Sequence, residues 1–398
     1  MKGLLRHQFV FNFFQLCIKH YFKRKFNYDF QTVKPSYSSY IVLSNHTTNY
    51  DPIMVGLSFP KLLYYVASDH IFRWGFASRL IEYLAAPIPR LKAITEVQTI
   101  KQILRTLKSG GNICIFAEGN RSFSGETGDI PESTGKLVKL SGAALITYCL
   151  EGGYFTNPRW GRNLRRGSMF GRKVMEYGPE QIREMTVDQL NAAIQKDLYV
   201  NAYEEQKMRP VAYNGENLAE DLETALYLCP QCKRMTGLKS EGDQFYCSCG
   251  LKVLYTPYGS FLSQEAQSPP FQSVLDWSRW QSAEIIKMAE DFSQYPSDKL
   301  ILSDMGQSLW RIKKARKSKL LCRGTLELYN NRLIMRNADG GEYSFDFDKI
   351  SGMAIYSRMV LIFSTTDRYS YEIKSSNPRS AIKYLELFKT LKTIKKRE

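Results

Sequence analysis

The stretch Ser39–Asp51, SYIVLSNHTTNYD, decides the fold of the first half of the chain. Its first six residues are mostly apolar, as expected of a buried strand, and the polar run after them ends that strand. Similar apolar segments recur at Lys61–Ala67, Asn112–Phe116 and Ala143–Leu150, with a helical pattern over Thr99–Ser109. Apolar strands that alternate with helices predict an α/β domain.

Two side chains in this stretch, His46 and Asp51, point to acid–base chemistry. A continuous helix would turn by about 500° over five residues and separate them, so they can meet only where a turn joins a strand to a helix. A carboxylate on one imidazole nitrogen fixes the tautomer and leaves the other nitrogen to take a proton. The pair therefore predicts a general base. The alternative is an aspartate that caps the next helix beside an unrelated histidine.

A second polar group, FAEGNRS at Phe116–Ser122, follows another predicted strand. Ligands bind at the C-terminal ends of strands in α/β sheets, so Glu118 and Arg121 can hold a hydroxyl and a phosphate there. Gly119 permits close approach of a backbone or ligand. Arg90, at the end of a Pro-Ile-Pro-Arg segment, adds a guanidinium on a rigid turn.

Together these motifs resemble those of the PlsC-like glycerolipid acyltransferases, the 1-acylglycerol-3-phosphate acyltransferase family. The first motif of that family, Asn-His-x4-Asp, is present at Asn45–Asp51. The third, Phe-Pro-Glu-Gly-Thr-Arg-Ser, is present at Phe116–Ser122 with Ala117 and Asn120 in place of Pro and Thr. The second ends in an arginine, which is Arg90 here.

The resemblance covers residues 1–215 and implies an acyltransferase of phospholipid biosynthesis. Its donor would be an acyl thioester, either acyl-CoA or an acyl-carrier protein, and its acceptor the free hydroxyl of 1-acylglycerol-3-phosphate or another lysolipid. No acyl-enzyme intermediate would form. By this resemblance His46 is the general base and Asp51 orients it. Glu118 binds the glycerol oxygens of the acceptor, and the arginines of the second and third motifs bind its phosphate.

Residues 1–26 combine an apolar helix with a basic cluster. Gln8, Asn12 and Gln15 fall at helical steps of three or four, so they share one narrow stripe and apolar residues cover the rest. Residues 19–25 hold four basic side chains and no acidic one. No apolar stretch is long enough to span a bilayer. We expect a peripheral, interfacial anchor on anionic lipid at the cytoplasmic face of a membrane. The alternative is a helix docked on its own core.

Residues 226–261 are short, polar and rich in cysteine. Cys229 and Cys232 form one closely spaced pair, and Cys247 and Cys249 form another. Thiolates from two turns can complete a tetrahedral zinc site. The segment therefore predicts a small β zinc ribbon with one structural zinc, against the alternative of a thiol pair or a redox role.

The remaining chain has two parts. Residues 262–298 predict a linker and a helix, and residues 299–398 change to a period of two with turns at Asn330-Asn331 and Asp339–Gly341. A helix follows Pro378. This pattern is similar to a pleckstrin-homology or GRAM-type domain, a C-terminal β barrel with one capping helix.

The charge balance limits the partners. The chain has 55 Lys and Arg against 39 Asp and Glu, a net charge of +16, which favours nucleic acid, anionic lipid or a phosphorylated substrate. Pro158–Lys173 holds six basic residues and no acid, and suits lipid or coenzyme A phosphates or a solvated loop. A basic zinc-ribbon nucleic-acid-binding protein and an inactive lipid-binding scaffold are the rival classes. Neither gives His46 and Asp51 a purpose, so no nucleic acid is expected as a partner.

Overall fold

The computed structural model describes residues 2–68, 79, 82–83, 86–90, 97–263, 268–314 and 317–397. These residues form two compact units. The first contains the described residues up to Glu216 together with Pro257–Gly259, and the second contains Asn217–Thr256 and the described residues from Ser260 onward. Part of the predicted linker segment 262–298 lies outside the described residues. Within the described part of the chain, no helix has the length and apolar character needed to cross a membrane.

The first unit is built on a seven-stranded mixed sheet. Its strands are β1 (Tyr28–Phe30), β2 (Tyr40–Ser44), β3 (Leu63–Ser68), β4 (Ile88–Arg90), β5 (Asn112–Phe116), β6 (Ala144–Glu151) and β7 (Met169–Tyr177). Their order is β1-β7-β6-β2-β5-β3-β4. β2 lies parallel to both β5 and β6, whereas β6 and β7 are antiparallel. The carboxyl ends of β2 and β5 therefore meet at one edge.

Helices cover both faces of this sheet. They are α1 (Lys2–Phe26), α2 (Asp51–Ser58), α3 (Val97–Lys108), α4 (Ser133–Ser141), α5 (Gly153–Thr156), α6 (Pro179–Glu184), α7 (Val187–Leu198) and α8 (Ala202–Met208). Ile41 and Leu43 of β2 pack in a core with α3 and α7. Val42, which points to the opposite face, packs in a core with α1 and α2. Both faces of the central strands are buried, which explains their continuous apolar sequences.

The prediction of an α/β domain is confirmed. The predicted strands at Lys61–Ala67, Asn112–Phe116 and Ala143–Leu150 correspond to β3, β5 and β6 within two residues. β1, β4 and β7 were not predicted. The segment that ends at Arg90, expected as a rigid turn, is the short strand β4, which pairs with β3. Most side chains of β7 are only part-buried and several are charged, so it lacks the apolar run by which the central strands were found.

Helix α1 docks on the first unit through its polar stripe. The Gln15 amide donates to the carbonyl oxygens of Gly56, Leu57 and Phe59 at 3.4, 3.3 and 3.1 Å, where α2 ends. Gln8 accepts from the Leu62 N–H at 2.9 Å. The last carbonyls of a helix lack partners within it, so the stripe satisfies groups that α2 leaves open.

Part of the apolar surface of α1 is not in contact with the protein core. Phe22 and Phe26 are buried in the core, but Phe9, Phe13 and Leu16 are exposed. These three residues are spaced at i, i+4 and i+7 and therefore lie on one face. The helix is thus docked on the protein core, which was the alternative to a membrane anchor in the sequence analysis. It nevertheless exposes one apolar face.

The second unit contains two antiparallel sheets. The smaller one comprises β8 (Leu238–Glu241), β9 (Gln244–Cys247), β10 (Lys252–Tyr255) and β11 (Phe261–Ser263) in the order β11-β10-β9-β8. The larger one comprises β12 (Leu302–Lys314), β13 (Lys317–Leu328), β14 (Arg332–Asn337), β15 (Glu342–Asp346), β16 (Ile350–Tyr356), β17 (Val360–Thr365) and β18 (Ser370–Ser375). Its order is β15-β14-β13-β12-β18-β17-β16.

Two helices, α9 (Val274–Ser293) and α10 (Ile382–Lys395), pack in one core with the larger sheet. Tyr227 and Leu228, at the start of the predicted zinc ribbon, belong to the same core. Apart from Pro257–Gly259, the described residues of the three predicted parts 226–261, 262–298 and 299–398 therefore share one compact unit. The strand ladder of the described residues runs from β15 to β16 without pairing between these two end strands, so closure into a barrel stays a prediction.

Candidate active site

His46 and Asp51 meet at the carboxyl end of β2. The strand ends at Ser44 and α2 begins at Asp51, with a turn between them. The imidazole Nδ1 lies 2.8 Å from Oδ2 of Asp51, whose side chain is fully buried. A carboxylate only accepts hydrogen bonds, so Nδ1 carries the proton in this contact and Nε2 is the nitrogen that can take one.

Asp51 is held by the turn itself and does not act as a helix cap. Its carboxylate accepts the backbone N–H of Thr47 at 2.6 Å and that of Thr48 at 2.9 Å. The Thr48 hydroxyl donates to Oδ1 at 2.5 Å. These donors compensate the burial of the carboxylate and fix its position relative to the imidazole. The two threonines were not identified as site residues from the sequence, although they lie inside the quoted motif.

Two neighbouring strands hold the histidine from other sides. The Asn45 side chain bonds both backbone groups of Leu150 on β6, donating to the carbonyl oxygen at 2.9 Å and accepting the N–H at 2.8 Å. The His46 ring stacks on Phe116 of β5 with ring centroids 4.4 Å apart. Strands β2, β5 and β6 therefore all set the orientation of the imidazole.

Glu118 joins the third motif to the first. Its Oε1 accepts the backbone N–H of His46 at 2.8 Å, and its Oε2 accepts that of Gly128 at 2.7 Å. Gly119 makes the turn possible with φ +67. Burial raises the pKa of Glu118 to about 7, although the two backbone N–H groups favour the charged form. This carboxyl group therefore titrates near neutral pH.

Arg121 is engaged by the protein. Its Nε donates to the Thr47 carbonyl oxygen at 2.9 Å and its Nη1 to Oδ1 of Asn49 at 3.2 Å. Its Nη2 donates to the Asn157 carbonyl oxygen. The guanidinium thus ties the His46 turn to the segment after α5, and its bonds to the protein use much of the capacity that the resemblance assigned to phosphate.

Arg90, at the end of β4, is exposed. Its Nη1 would lie 3.8 Å from a Cβ built on Gly119, so the guanidinium sits beside the turn that carries Glu118. The structure therefore brings together all six predicted site residues of the first unit, and Arg90 is the exposed cation among them.

Arg159 is a site residue that sequence reasoning missed. It is buried, donates to the Arg121 carbonyl oxygen at 2.8 Å and lies 4.0 Å from the centroid of the Phe123 ring. Burial and the nearby Arg121 charge lower its pKa to about 9, while Glu118 acts in the opposite direction. The only signal in the sequence was the basic run Pro158–Lys173. The alternative that this run is a solvated loop does not hold for Arg159, because its side chain is buried.

His46 and Glu118 line a cleft at the edge of the sheet, together with Ser122 and Tyr154. Two further carboxyl groups, those of Glu126 and Glu205, also line it, whereas the arginines of the site lie beside it. An acceptor hydroxyl in this cleft can reach both a base and a carboxyl group, with guanidinium groups nearby. The arrangement suits proton removal from a hydroxyl on an anionic substrate.

The four cysteines at positions 229, 232, 247 and 249 of the second unit also converge. Their Sγ atoms all lie within 4.8 Å of one another, with Cys229 and Cys249 at 3.6 Å and Cys232 and Cys247 at 3.7 Å. Four thiolates placed tetrahedrally about 2.3 Å from a zinc ion lie about 3.8 Å apart. The cluster can therefore hold a metal ion. Gly250, with φ +105, turns the chain away after the last ligand.

Comparison with protein families gives a match within the first unit. Residues 25–151 match the model of the Acyltransferase family, and this range contains all six predicted site residues of the first unit. The match identifies an acyltransferase domain and places the first unit in the class of enzymes that transfer acyl groups. No curated protein sequence matches the chain at the significance required.

Among the solved structures that are similar to parts of the chain are the following three. The 1-acyl-sn-glycerophosphate (LPA) acyltransferase PlsC from Thermotoga maritima is 20% identical, with a TM-score of 0.42, and the alignment covers 50% of this chain and 82% of that one. A chain of the 8S snRNP assembly intermediate is 14% identical, with a TM-score of 0.21 and coverage of 25% and 86%. The C-terminal domain of an unknown protein from Leishmania infantum is 12% identical, with a TM-score of 0.18 and coverage of 28% and 97%.

Proposed function

We propose that this chain transfers a fatty acyl group from an acyl thioester, acyl-CoA or acyl-carrier protein, to the free hydroxyl of 1-acylglycerol-3-phosphate. The observation that carries the proposal is the 2.8 Å contact between His46 and the buried Asp51, beside Glu118 in one cleft. Arg90 and Arg121, which lie next to this cleft, favour a lysolipid acceptor with a phosphate monoester.

In the proposed reaction, Nε2 of His46 takes the proton of the acceptor hydroxyl. At the same time the hydroxyl oxygen attacks the carbonyl carbon of the thioester. The tetrahedral intermediate then collapses, the carbon–sulfur bond breaks, and the thiolate leaves with the proton from the imidazolium. Asp51 keeps Nδ1 protonated and stabilises the imidazolium that forms between the two steps. No residue of the chain becomes acylated.

Substrate binding would divide among three groups. Glu118, with both oxygens already oriented by backbone N–H groups, accepts a hydrogen bond from the acceptor. Arg90, the exposed cation, pairs with the acceptor phosphate, and the positive charge of Arg121 adds to the attraction. Arg159 positions the Arg121 backbone and adds positive charge to the cleft.

The test is a panel assay of the purified chain. Lysophosphatidate and other lysolipids are compared as acceptors, each with acyl-CoA and with acyl-carrier protein as donor. His46→Ala should lower transfer by about 10²–10⁴-fold because it removes a positioned base. His20→Ala, which changes an exposed histidine of α1, is the matched control and should leave the rate unchanged. Full activity in a folded His46→Ala variant would contradict the mechanism, and a preference for lysophosphatidylcholine would contradict the acceptor.

We also propose that the enzyme works peripherally on the cytoplasmic face of an anionic membrane. The support is the orientation of α1, in which the polar stripe bonds to the protein and Phe9, Phe13 and Leu16 remain exposed. Four exposed basic residues follow, and each adds about 1 kcal/mol near an anionic surface. The chain should therefore float with anionic vesicles more strongly than with neutral ones, and equal or absent flotation would count against the proposal.

Finally, we infer that Cys229, Cys232, Cys247 and Cys249 hold a structural zinc ion. All four positions around the ion would be filled by thiolates, so none remains for a substrate or water and the metal takes no part in acyl transfer. Metal analysis of protein prepared without chelator should give about one zinc per chain. An ordered segment without metal would contradict the assignment.

A further inference from the structure

A separate cavity lies in the second unit, where α10 begins. Its wall includes Thr236, Asp304, Arg379, Ser380 and Lys383, and its empty space, measured out to the opening, is about 350 Å³. None of these residues belongs to the cysteine cluster or to the acyltransferase domain, so the cavity is a different site from the proposed acyl-transfer cleft.

Arg379 is a buried cation with free donor capacity. Only 5% of the residue is exposed, and Nη2 donates to the Met359 carbonyl oxygen at 2.9 Å. Nε and Nη1 have no hydrogen-bond partner among the described residues. Burial lowers the pKa of Arg379. Buried N–H groups of a charged side chain are costly to leave unpaired, so such a residue calls for an acceptor.

The neighbouring residues add further donors. Ser380 is buried, and its hydroxyl has no partner among the described residues. The fourteen-residue helix α10 follows at once, with Ala381 at its N-cap and no side chain capping it. The N-terminus of a helix attracts anions through its open N–H groups and its dipole.

The two carboxyl groups on the cavity wall are hydrogen-bonded to side chains other than Arg379. Asp304 is paired with Lys383 at 2.8 Å and accepts the Tyr384 hydroxyl at 2.7 Å. Glu223, on the cavity wall, accepts the Ser240 hydroxyl at 2.6 Å, and burial raises its pKa. Asp304 is thus already engaged by Lys383 and Tyr384, and neither carboxyl group accepts a hydrogen bond from the unpaired nitrogen atoms of Arg379.

We propose that this cavity binds a phosphate group, carried by inorganic phosphate, a small phosphomonoester or a lipid headgroup. A phosphate supplies several charged oxygens at once, which matches Arg379, the Ser380 hydroxyl and the start of α10 better than a single carboxylate does. The free nitrogen atoms of Arg379 carry almost no exposed surface, so binding draws this side chain toward the cavity.

The experiment is calorimetric titration of the full, metal-loaded chain at constant ionic strength. The probes are inorganic phosphate, glycerol 3-phosphate and monomeric dihexanoyl phosphatidate, with dihexanoyl phosphatidylcholine as the negative probe. We expect heat from at least one phosphate probe. Binding of inorganic phosphate or glycerol 3-phosphate identifies a soluble ligand, whereas binding of dihexanoyl phosphatidate alone identifies a lipid headgroup. No heat from any phosphate probe would overturn the proposal.

Two variants locate the binding. Arg379→Gln should abolish it, and Ser380→Ala should weaken it about tenfold because a hydrogen bond to a charged group is lost. Ser380→Ala removes only an unpartnered hydroxyl, so it should fold normally even where Arg379→Gln does not. Arg336→Gln, which changes an arginine paired with Glu327 on the larger sheet, is the matched control and should bind like the wild type. Wild-type affinity in folded Arg379→Gln, or in Ser380→Ala, would overturn the assignment.

Discussion

The exposed apolar face of α1 offers the most direct test of membrane attachment. Phe9, Phe13 and Leu16 are 75%, 61% and 77% exposed, so their replacement by serine removes apolar surface without disturbing the core. Deleting the whole helix would be a poorer experiment, because Phe22 and Phe26 are part of the core. The triple serine variant separates membrane contact from folding.

The magnitude follows from these exposures. Full burial of a Phe or Leu side chain stabilises by about 1.5–3 kcal/mol, and the three exposed fractions together amount to about two side chains. Insertion of this face into the interface should therefore contribute about 3–6 kcal/mol. Each 1.4 kcal/mol is a factor of ten, so the triple variant should partition onto anionic vesicles about 10²–10⁴-fold more weakly than the wild type.

The assay is co-flotation with vesicles at several lipid concentrations. The matched control replaces Val97, Leu140 and Met208, which are equally exposed apolar residues elsewhere in the first unit, by serine. That control should partition like the wild type, and neither variant should change the unfolding free energy by more than about 0.5 kcal/mol. Wild-type partitioning of the α1 variant would refute the proposed orientation of the helix toward lipid.

Three further predictions concern the two units. The pKa of Glu118, about 7, exceeds the value of about 4.3 for an unfolded chain, so the native state keeps a proton that the unfolded state loses. The unfolding free energy should therefore fall as pH rises from about 4 to 7, with a smaller slope in Glu118→Gln by denaturant titration. Asp51→Asn places an amide nitrogen against backbone N–H donors, so it should lower the unfolding free energy by about 1–3 kcal/mol and remove most of kcat. Thr48→Ala loses only the hydroxyl hydrogen bond to Asp51 and should keep most of the activity. Zinc removal by chelator, or Cys232→Ser, should make residues 226–261 sensitive to proteolysis without affecting acyl transfer. If these residues stayed as protected from protease as in the zinc-loaded chain, the zinc assignment would be contradicted.

The parts of the fold that the sequence predicted are those with unambiguous periodicity. Strands such as β5 are apolar on both faces because helices cover both sides of the sheet, and a continuous apolar run shows this directly. β7 lies near the edge, pairs with the three-residue β1 and has a mixed pattern. Its strand character depends on pairing with distant residues, which a local pattern does not contain.

The same limit applies to the site. His46 and Asp51 are five residues apart, so their contact follows from a local turn. The contact of Glu118 with the His46 backbone and that of Arg159 with Arg121 join segments 72 and 38 residues apart. The burial of Arg159 could not be predicted, because the basic run around it has the composition of a solvated loop. Long-range contacts of this kind depend on strand order, which no single motif specifies.

The residues of the two motifs therefore divide into groups that face the cleft and groups that hold the turn. Thr47 belongs to both sets, because it lines the cleft while its N–H donates to Asp51 and its carbonyl oxygen accepts a hydrogen bond from Arg121. A histidine and an aspartate five residues apart would not form a competent base without these bonds, since a turn of this length has many other conformations. Preorganisation is what makes the imidazole useful, because the geometry is fixed before the acceptor arrives. The spacing Asn-His-x4-Asp is thus needed to form the turn as well as to place the base. Arg121, which follows strand β5, stabilises that turn by its hydrogen bond to the Thr47 carbonyl oxygen.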